Sequence, residues 1–309
     1  MRFLLFAGLF LVAPLVAAYE SDQYSNRLVP VDDSLEVLDK RVNDALEEIA
    51  REWDEPDDED RDLRFAKAVY RELGGLHWAD KIERWASKTP LVDKYPKVRY
   101  SSVYQGLPIW GRRINFLFGV CVSFRLNDVI MGSDKLGHFF SQGLKYYKRK
   151  ERGWSMERVA DFGATAERFM WGQLTTGIFA NADLVANYEG MRFYQSLFQD
   201  GVIEGKGPIM EWRDGKPHQL RPFTWADHVN DYWDEALNPS HVVDSLYPGL
   251  RERIRDMCPQ YEKQPSAFIA ENDAALWDRY EHIGLKDMRE NKFKNICGTP
   301  AMDVTSADD

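Results

Sequence analysis

Cysteine is scarce: three in 309 residues, at Cys121, Cys258 and Cys297. No two sit as Cys-x-x-Cys and none has the Cys/His spacing of a finger, which argues against a structural zinc module. The chain also has no Gly-x-Ser-x-Gly elbow, no P-loop, no dinucleotide fingerprint and no His-Glu-x-x-His. The common forms of acyl transfer, nucleotide hydrolysis and zincin chemistry therefore have no motif to stand on. Basic residues are outnumbered, 40 Lys and Arg against 50 Asp and Glu for a net charge of -10. Phosphate backbones need a basic face, so nucleic acid is not expected as a partner. Internal repeats and low-complexity tracts are missing, and the one leading apolar run is too short for a good membrane span.

That run, Phe3 to Val16, follows Arg2 and ends at Val16-Ala17-Ala18. A cationic start, an apolar stretch and small residues before Tyr19 read as a signal peptide over residues 1–18, with an uncleaved anchor as the alternative. No Cys follows Ala18 to carry a lipid. The expectation is an exported protein, in the periplasm. In an oxidising compartment Cys258 and Cys297 are the favoured disulfide, stapling the C-terminal segment and leaving Cys121 within an apolar run.

Residues 19–300 are expected to form a single mainly helical domain, with 301–309 a disordered polar tail. Asp32 and Asp33 precede a stripe of Leu35, Leu38, Val42, Leu46, Ile49 and Trp53 at three- and four-residue spacing. The acidic run from Asp54 to Asp60 lacks the mid-loop Gly and twelfth-position acid of a calcium loop, and reads as a solvated linker. Helices follow through Leu63 to Leu73 and through Trp78 to Trp85. The apolar run Ile114 to Phe124 fits either a buried strand or a buried helix. Asp214-Gly215 marks a hairpin, and Trp225–Leu237, His241–Met257 and Ala267–Glu290 read as three closing helices behind Thr224, Ser240 and Ser266. The expected fold class is mainly α, a helical bundle with one small β-hairpin.

Unusual polar residues gather between Gly132 and Tyr194. If Ser133 caps a helix, Asp134 and His138 share one face, where the carboxylate can accept a ring N–H and raise the basicity of the imidazole. Lys135 opposes the macrodipole of that first turn, a local cost that suggests a task such as holding an anionic group. Glu167 follows a stripe of Ala160, Gly163 and Ala164, which draws it inward toward His138 or Lys135. On a third helix Asp183, Asn187, Gly190 and Tyr194 line up, and an interior Gly costs about 1 kcal/mol unless close packing demands it. Asp183 and Asn187 are therefore expected to face the His138 helix. The plainer alternative is a set of satisfied or solvated side chains. The basic segment Lys145, Lys148, Arg149, Lys150 and Arg152 suits either peripheral contact with anionic lipid or completion of a helix C-terminus. His228 with Asp231 and His241 with Asp244 read as surface pairs.

The elements Asp134-Lys135-Leu136-Gly137-His138-Phe139, then Glu167 on its small-residue helix, then Gly177-Ile178-Phe179 and Asp183-Leu184-Val185-Ala186-Asn187-Tyr188-Glu189-Gly190 resemble an uncharacterised family of exported bacterial proteins. That family carries D-K-x-G-H and a later D-x-x-A-N-x-x-G. More distantly, the Asp-Lys-x-x-His-Phe element is similar to the membrane-embedded VanZ-like proteins, without their several apolar spans. The resemblance covers about sixty residues and implies a helical bundle and an envelope setting, but no reaction.

Two functions follow as expectations. The first is a binding or envelope-assembly role, the polar cluster fixing helix register. The second is a periplasmic acid-base or metal-assisted hydrolase acting on an envelope component. There the catalytic set is His138, Asp134, Glu167 and Lys135, the metal ligands are His138, Glu167 and Asp183, and Asn187 completes the cluster. A divalent metal is the one cofactor this donor set suggests; the partner is an envelope lipid, glycan or protein.

Overall fold

The computed structural model describes residues 21–75, 79–96, 102–104, 107, 121–168 and 177–298. The expected signal segment, 1–18, Trp78, residues 114–120 of the apolar run, Trp171 and the expected tail, 301–309, lie outside them.

The fold is mainly helical, with only short antiparallel strand pairs. Helix α1, Leu35–Arg51, buries Leu38, Val42, Ala45 and Leu46, the inward stripe of its heptad-like pattern. It packs on α2, Arg61–Leu73, through Phe65, Ala66, Val69 and Leu73. Helix α3, Lys81–Lys88, starts behind Asp80, where Glu83 reaches back to the Asp80 N–H at 3.3 Å.

Strands β1, Ser123–Leu126, and β2, Val129–Gly132, form a hairpin paired from Ser123↔Gly132 to Leu126↔Val129. Its turn residues Asn127 and Asp128 have φ of 52° and 63°, the left-handed pair that matches strand twist in a two-residue loop. The hairpin delivers the chain into α4, Asp134–Gly137, which continues through a widened π turn, His138–Gln142, into α5, Gly143–Glu151. Helix α6, Met156–Ala166, begins at Ser155, whose hydroxyl accepts the Arg158 N–H.

A two-residue strand β3, Ile178–Phe179, leads into α7, Asn181–Ser196. Helix α7 is the centre of the molecule: it is buried on nearly every side and packs along α5 and the π turn. The close approach runs through Gly143 and Gly190. A Cβ on Gly190 would lie 2.0 Å from the Phe139 carbonyl oxygen, and one on Gly143 would lie 2.6 Å from the Gly190 carbonyl carbon. The interior Gly of this helix is thus explained by backbone contact.

Beyond α7, strands β4, Met210–Arg213, and β5, Lys216–Gln219, form the hairpin expected at Asp214-Gly215. It is not alone, since β1–β2 is a second hairpin and β3 pairs with β6, His241–Val242. The three closing helices are a correction. The first stretch forms only 3-10 turns at Trp225–Asp227 and Asp231–Trp233. The second begins as β6 and then carries α8, Tyr247–Arg255, and α9, Cys258–Lys263. The third shrinks to α10, Asp273–Tyr280, flanked by 3-10 turns at Pro265–Phe268 and Glu281–Ile283. The chain ends its described part in α11, Phe293–Cys297.

The main core joins α1, α2, α4, α5 and α7 with Trp225 and Trp233. A smaller apolar cluster around Tyr24, Leu250, Phe268 and Phe293 underlies the C-terminal segment. Beside it Cys258 and Cys297 are disulfide-bonded, with Cα atoms 5.4 Å apart; Cys121 takes no part in that bond. Among the described residues, no helix is long and apolar enough to cross a membrane.

Candidate functional site

Lys135 is the hub of the central cluster. Its ammonium lies 2.6 Å from Asp134 Oδ2, 2.6 Å from Asp183 Oδ1 and 2.7 Å from Glu235 Oε1, and the residue has no exposed surface. Burial alone would push the ammonium toward its neutral form, but the three carboxylates outweigh it and hold the pKa well above its ordinary value. The three anions come from separate parts of the chain: the start of α4, the first turn of α7, and the segment after Trp233.

Glu235 is held from both sides. Arg27 forms a bidentate pair with the adjacent Asp234, at 3.2 and 2.9 Å. The Tyr24 hydroxyl donates to the Glu235 carbonyl at 2.7 Å, and the Tyr104 hydroxyl reaches Glu235 Oε2 at 3.3 Å. Burial raises the Glu235 carboxyl, with Lys135 opposing and Asp183 and Asp134 adding to the rise.

His138 sits one turn beyond Asp134, at the head of the π turn. Its Nε2 is 3.1 Å from Asp183 Oδ2 and its Nδ1 is 3.0 Å from Asn187 Oδ1. Asp183 and Asn187 are four apart on α7 and so project from one face. Burial raises the Asp183 carboxyl, but His138 and Lys135 outweigh it and leave the pKa below its ordinary value. The cluster is sealed on its Lys135–Glu235 side and open on the other, where the His138 side chain is 20% exposed and those of Asp134 and Asp183 are 11% exposed.

Several expected roles change in this geometry. His138 is oriented by Asp183 and Asn187; the carboxylate of Asp134 turns instead to Lys135. Lys135, enclosed by three carboxylates, presents no face to an external anion. Glu167, buried after the last turn of α6, accepts the Ala180 N–H at 3.3 Å at the entry to α7. It does not join Asp183 and His138 as a ligand-spaced group. Among the described residues that group is Asp134, His138 and Asp183, whose donor atoms lie within 4.8 Å of one another.

A second acidic pair flanks the same helix. The Ser141 hydroxyl donates to Asp80 Oδ2 at 2.5 Å, and burial raises the Asp80 carboxyl to about 7. Burial, with Asp134 and Asp80 nearby, raises Glu83 to about 8. The signal for this pair was present as a D-x-x-E capping box ahead of an apolar run. Glu235, about a hundred residues from Lys135, left no local signal.

His228 is another correction: it is buried, and its Nδ1 is 3.2 Å from Glu189 Oε2. Glu189 also takes Arg192, Arg279 and the Tyr280 hydroxyl. Burial would raise this carboxyl, but His228 and the two guanidiniums hold it down at about 2. The basic segment of α5 is partly occupied as well, with Arg149 over the Phe162 ring at 3.4 Å and Lys150 donating to the Trp154 carbonyl.

No family model matches the chain. No curated protein and no solved structure matches it either.

Proposed function

We propose that this chain is an exported bacterial envelope protein with a binding or assembly role, a helical bundle related to the D-K-x-G-H family. The sealed half of its central cluster is scaffold and the open half is the recognition site. The observation that carries this reading is the split in exposure across one continuous network. Lys135 and Glu235 are fully enclosed, whereas the His138 side chain is 20% exposed and those of Asp134 and Asp183, though largely buried, keep 11% at its edge. The Cys258–Cys297 disulfide supports an oxidising compartment, and the net charge of -10 supports a ligand other than nucleic acid.

A second reading, an acid-base hydrolase of an envelope component, is favoured by one observation. Asp80, raised to about 7, accepts from the Ser141 hydroxyl one turn beyond His138, and a base poised near neutrality suits proton transfer. One experiment separates the two. Purified wild type and His138→Ala are incubated with isolated peptidoglycan and with vesicles of envelope lipid, and both sedimentation and released product are measured. The binding role predicts co-sedimentation that the variant loses, with no product. Product released by wild type alone would install the hydrolase instead, and neither binding nor product would contradict both.

A further inference from the structure

His138 and its neighbours carry an unmet demand for positive charge. Asn187 Oδ1 faces Nδ1 of the ring at 3.0 Å, so the neutral imidazole places its proton on Nδ1 and its lone pair on Nε2. Nε2 then faces a carboxylate oxygen, Asp183 Oδ2, at 3.1 Å. Two acceptors at that distance need a cation between them, either a proton or a metal. A ring N–H donated to an amide oxygen is also the outer support that fixes the tautomer of a metal-ligating histidine.

Distance and charge agree with a metal. Two ligands each about 2.0–2.1 Å from one ion, the range for imidazole nitrogen and carboxylate oxygen on zinc, stand roughly 3 Å apart at an angle near 100°. Asp134 brings a third donor within 4.8 Å of both. Its side chain is buried, yet Oδ1 accepts no hydrogen bond, a costly state for a carboxylate oxygen that has no other use. Three carboxylates surround a single ammonium at Lys135.

We propose that Asp134, His138 and Asp183 form a binding site for one divalent first-row cation of the zinc or manganese class, with Asn187 as positioning residue and Lys135 neutralising the carboxylate oxygens turned away from the ion. One imidazole with two carboxylates is a donor set for such ions rather than for calcium or magnesium, which take oxygen throughout. This inference rests on the recognition reading of the open half and names its occupant. The ligand set differs from the one read from sequence, with Asp134 in the place of Glu167.

The test is chelator-treated protein exposed to Zn2+ or Mn2+, passed through gel filtration and analysed for retained metal. Wild type is expected to retain one equivalent of either ion and to gain thermal stability from it. His138→Gln and Asp183→Asn are expected to lose retention, and Asn187→Ser to weaken affinity roughly tenfold or more. Asp134→Asn keeps the shape of the site and two carboxylates on Lys135, so it covers the event that Asp183→Asn does not fold. No retained metal in wild type overturns the site, as does retention that these variants leave unchanged. A wild type that sediments with envelope material yet retains no metal overturns the cation site alone; failure of both overturns the recognition reading with it.

Discussion

Lys135 shows how one residue sets the electrostatics of its surroundings. An ammonium without exposed surface is tolerable only because three carboxylates meet it within 2.7 Å, and those carboxylates are tolerable only because it is there. At Asp80 and Glu83 burial outweighs the nearby cations, Lys145 and Arg84, and the carboxyls rise to about 7 and about 8. In the unfolded chain the same groups titrate near 3.8 and 4.5. Between the unfolded and folded values the native state binds more protons, so this contribution is complete at acid pH and declines as pH rises from about 4 to about 8. Buried Glu235, also raised, acts in the same direction. Glu83→Gln, which stays neutral, is expected to flatten the decline by roughly 2 kcal/mol or more between pH 5 and pH 8.5, read by urea unfolding at both. Glu189 has the opposite sign. Held at about 2 against an ordinary 4.5, it stabilises above pH 4.5 and loses that contribution as pH falls toward 2, by roughly 3 kcal/mol. A Glu189→Gln variant, whose acid unfolding is followed by circular dichroism, should show a shallower loss below pH 4.

At the scale of elements, the crossing of α5 and α7 is fixed by backbone contact rather than by side-chain fit. Because the obstacle to a Cβ on Gly190 is the Phe139 carbonyl, no rotamer change relieves it and a helix must move. Gly190→Ala is expected to cost about 3 kcal/mol in urea unfolding, where an ordinary helical Gly→Ala gains about 1 kcal/mol. An unchanged or raised midpoint would contradict the crossing. This crossing was legible in the sequence because an interior Gly has so few other uses, and α1 and α2 were legible because their buried residues keep the helical period. The segment from Trp225 onward misled for a physical reason. Its apolar residues also recur at helical intervals, but polar side chains take the backbone first. Thr224 and Asn230 cap single turns, Asp234 accepts the Ala236 N–H, and Asn238 donates to the Tyr232 carbonyl. The site divides in the same way. Asp134, Lys135, His138, Asp183 and Asn187 stand on two local motifs and could be read together. Glu235, Asp80 and Glu83 join only by tertiary folding, and Glu167 was drawn inward to a different partner.

The whole molecule is tied at two levels: the Lys135 network joins α4, α7 and the Glu235 segment, and the disulfide closes the C-terminal part over its own small core. The disulfide spans 39 residues, and a loop of that size is worth about 3–4 kcal/mol in the chain-entropy account. Cys258→Ser with Cys297→Ser is expected to lower stability by that order, with amide exchange rising first in α8, α9 and α11. Uniform exchange throughout the chain would instead argue for one cooperative unit. The central claim is that Lys135 holds the scaffold half of the cluster together, and equilibrium unfolding of Lys135→Met at neutral pH tests it most directly. Methionine keeps the length of the side chain and leaves three buried carboxylates without their cation, so the account predicts a loss of about 3–5 kcal/mol. A variant within about 1 kcal/mol of wild type, the range of an ordinary surface change, would contradict it.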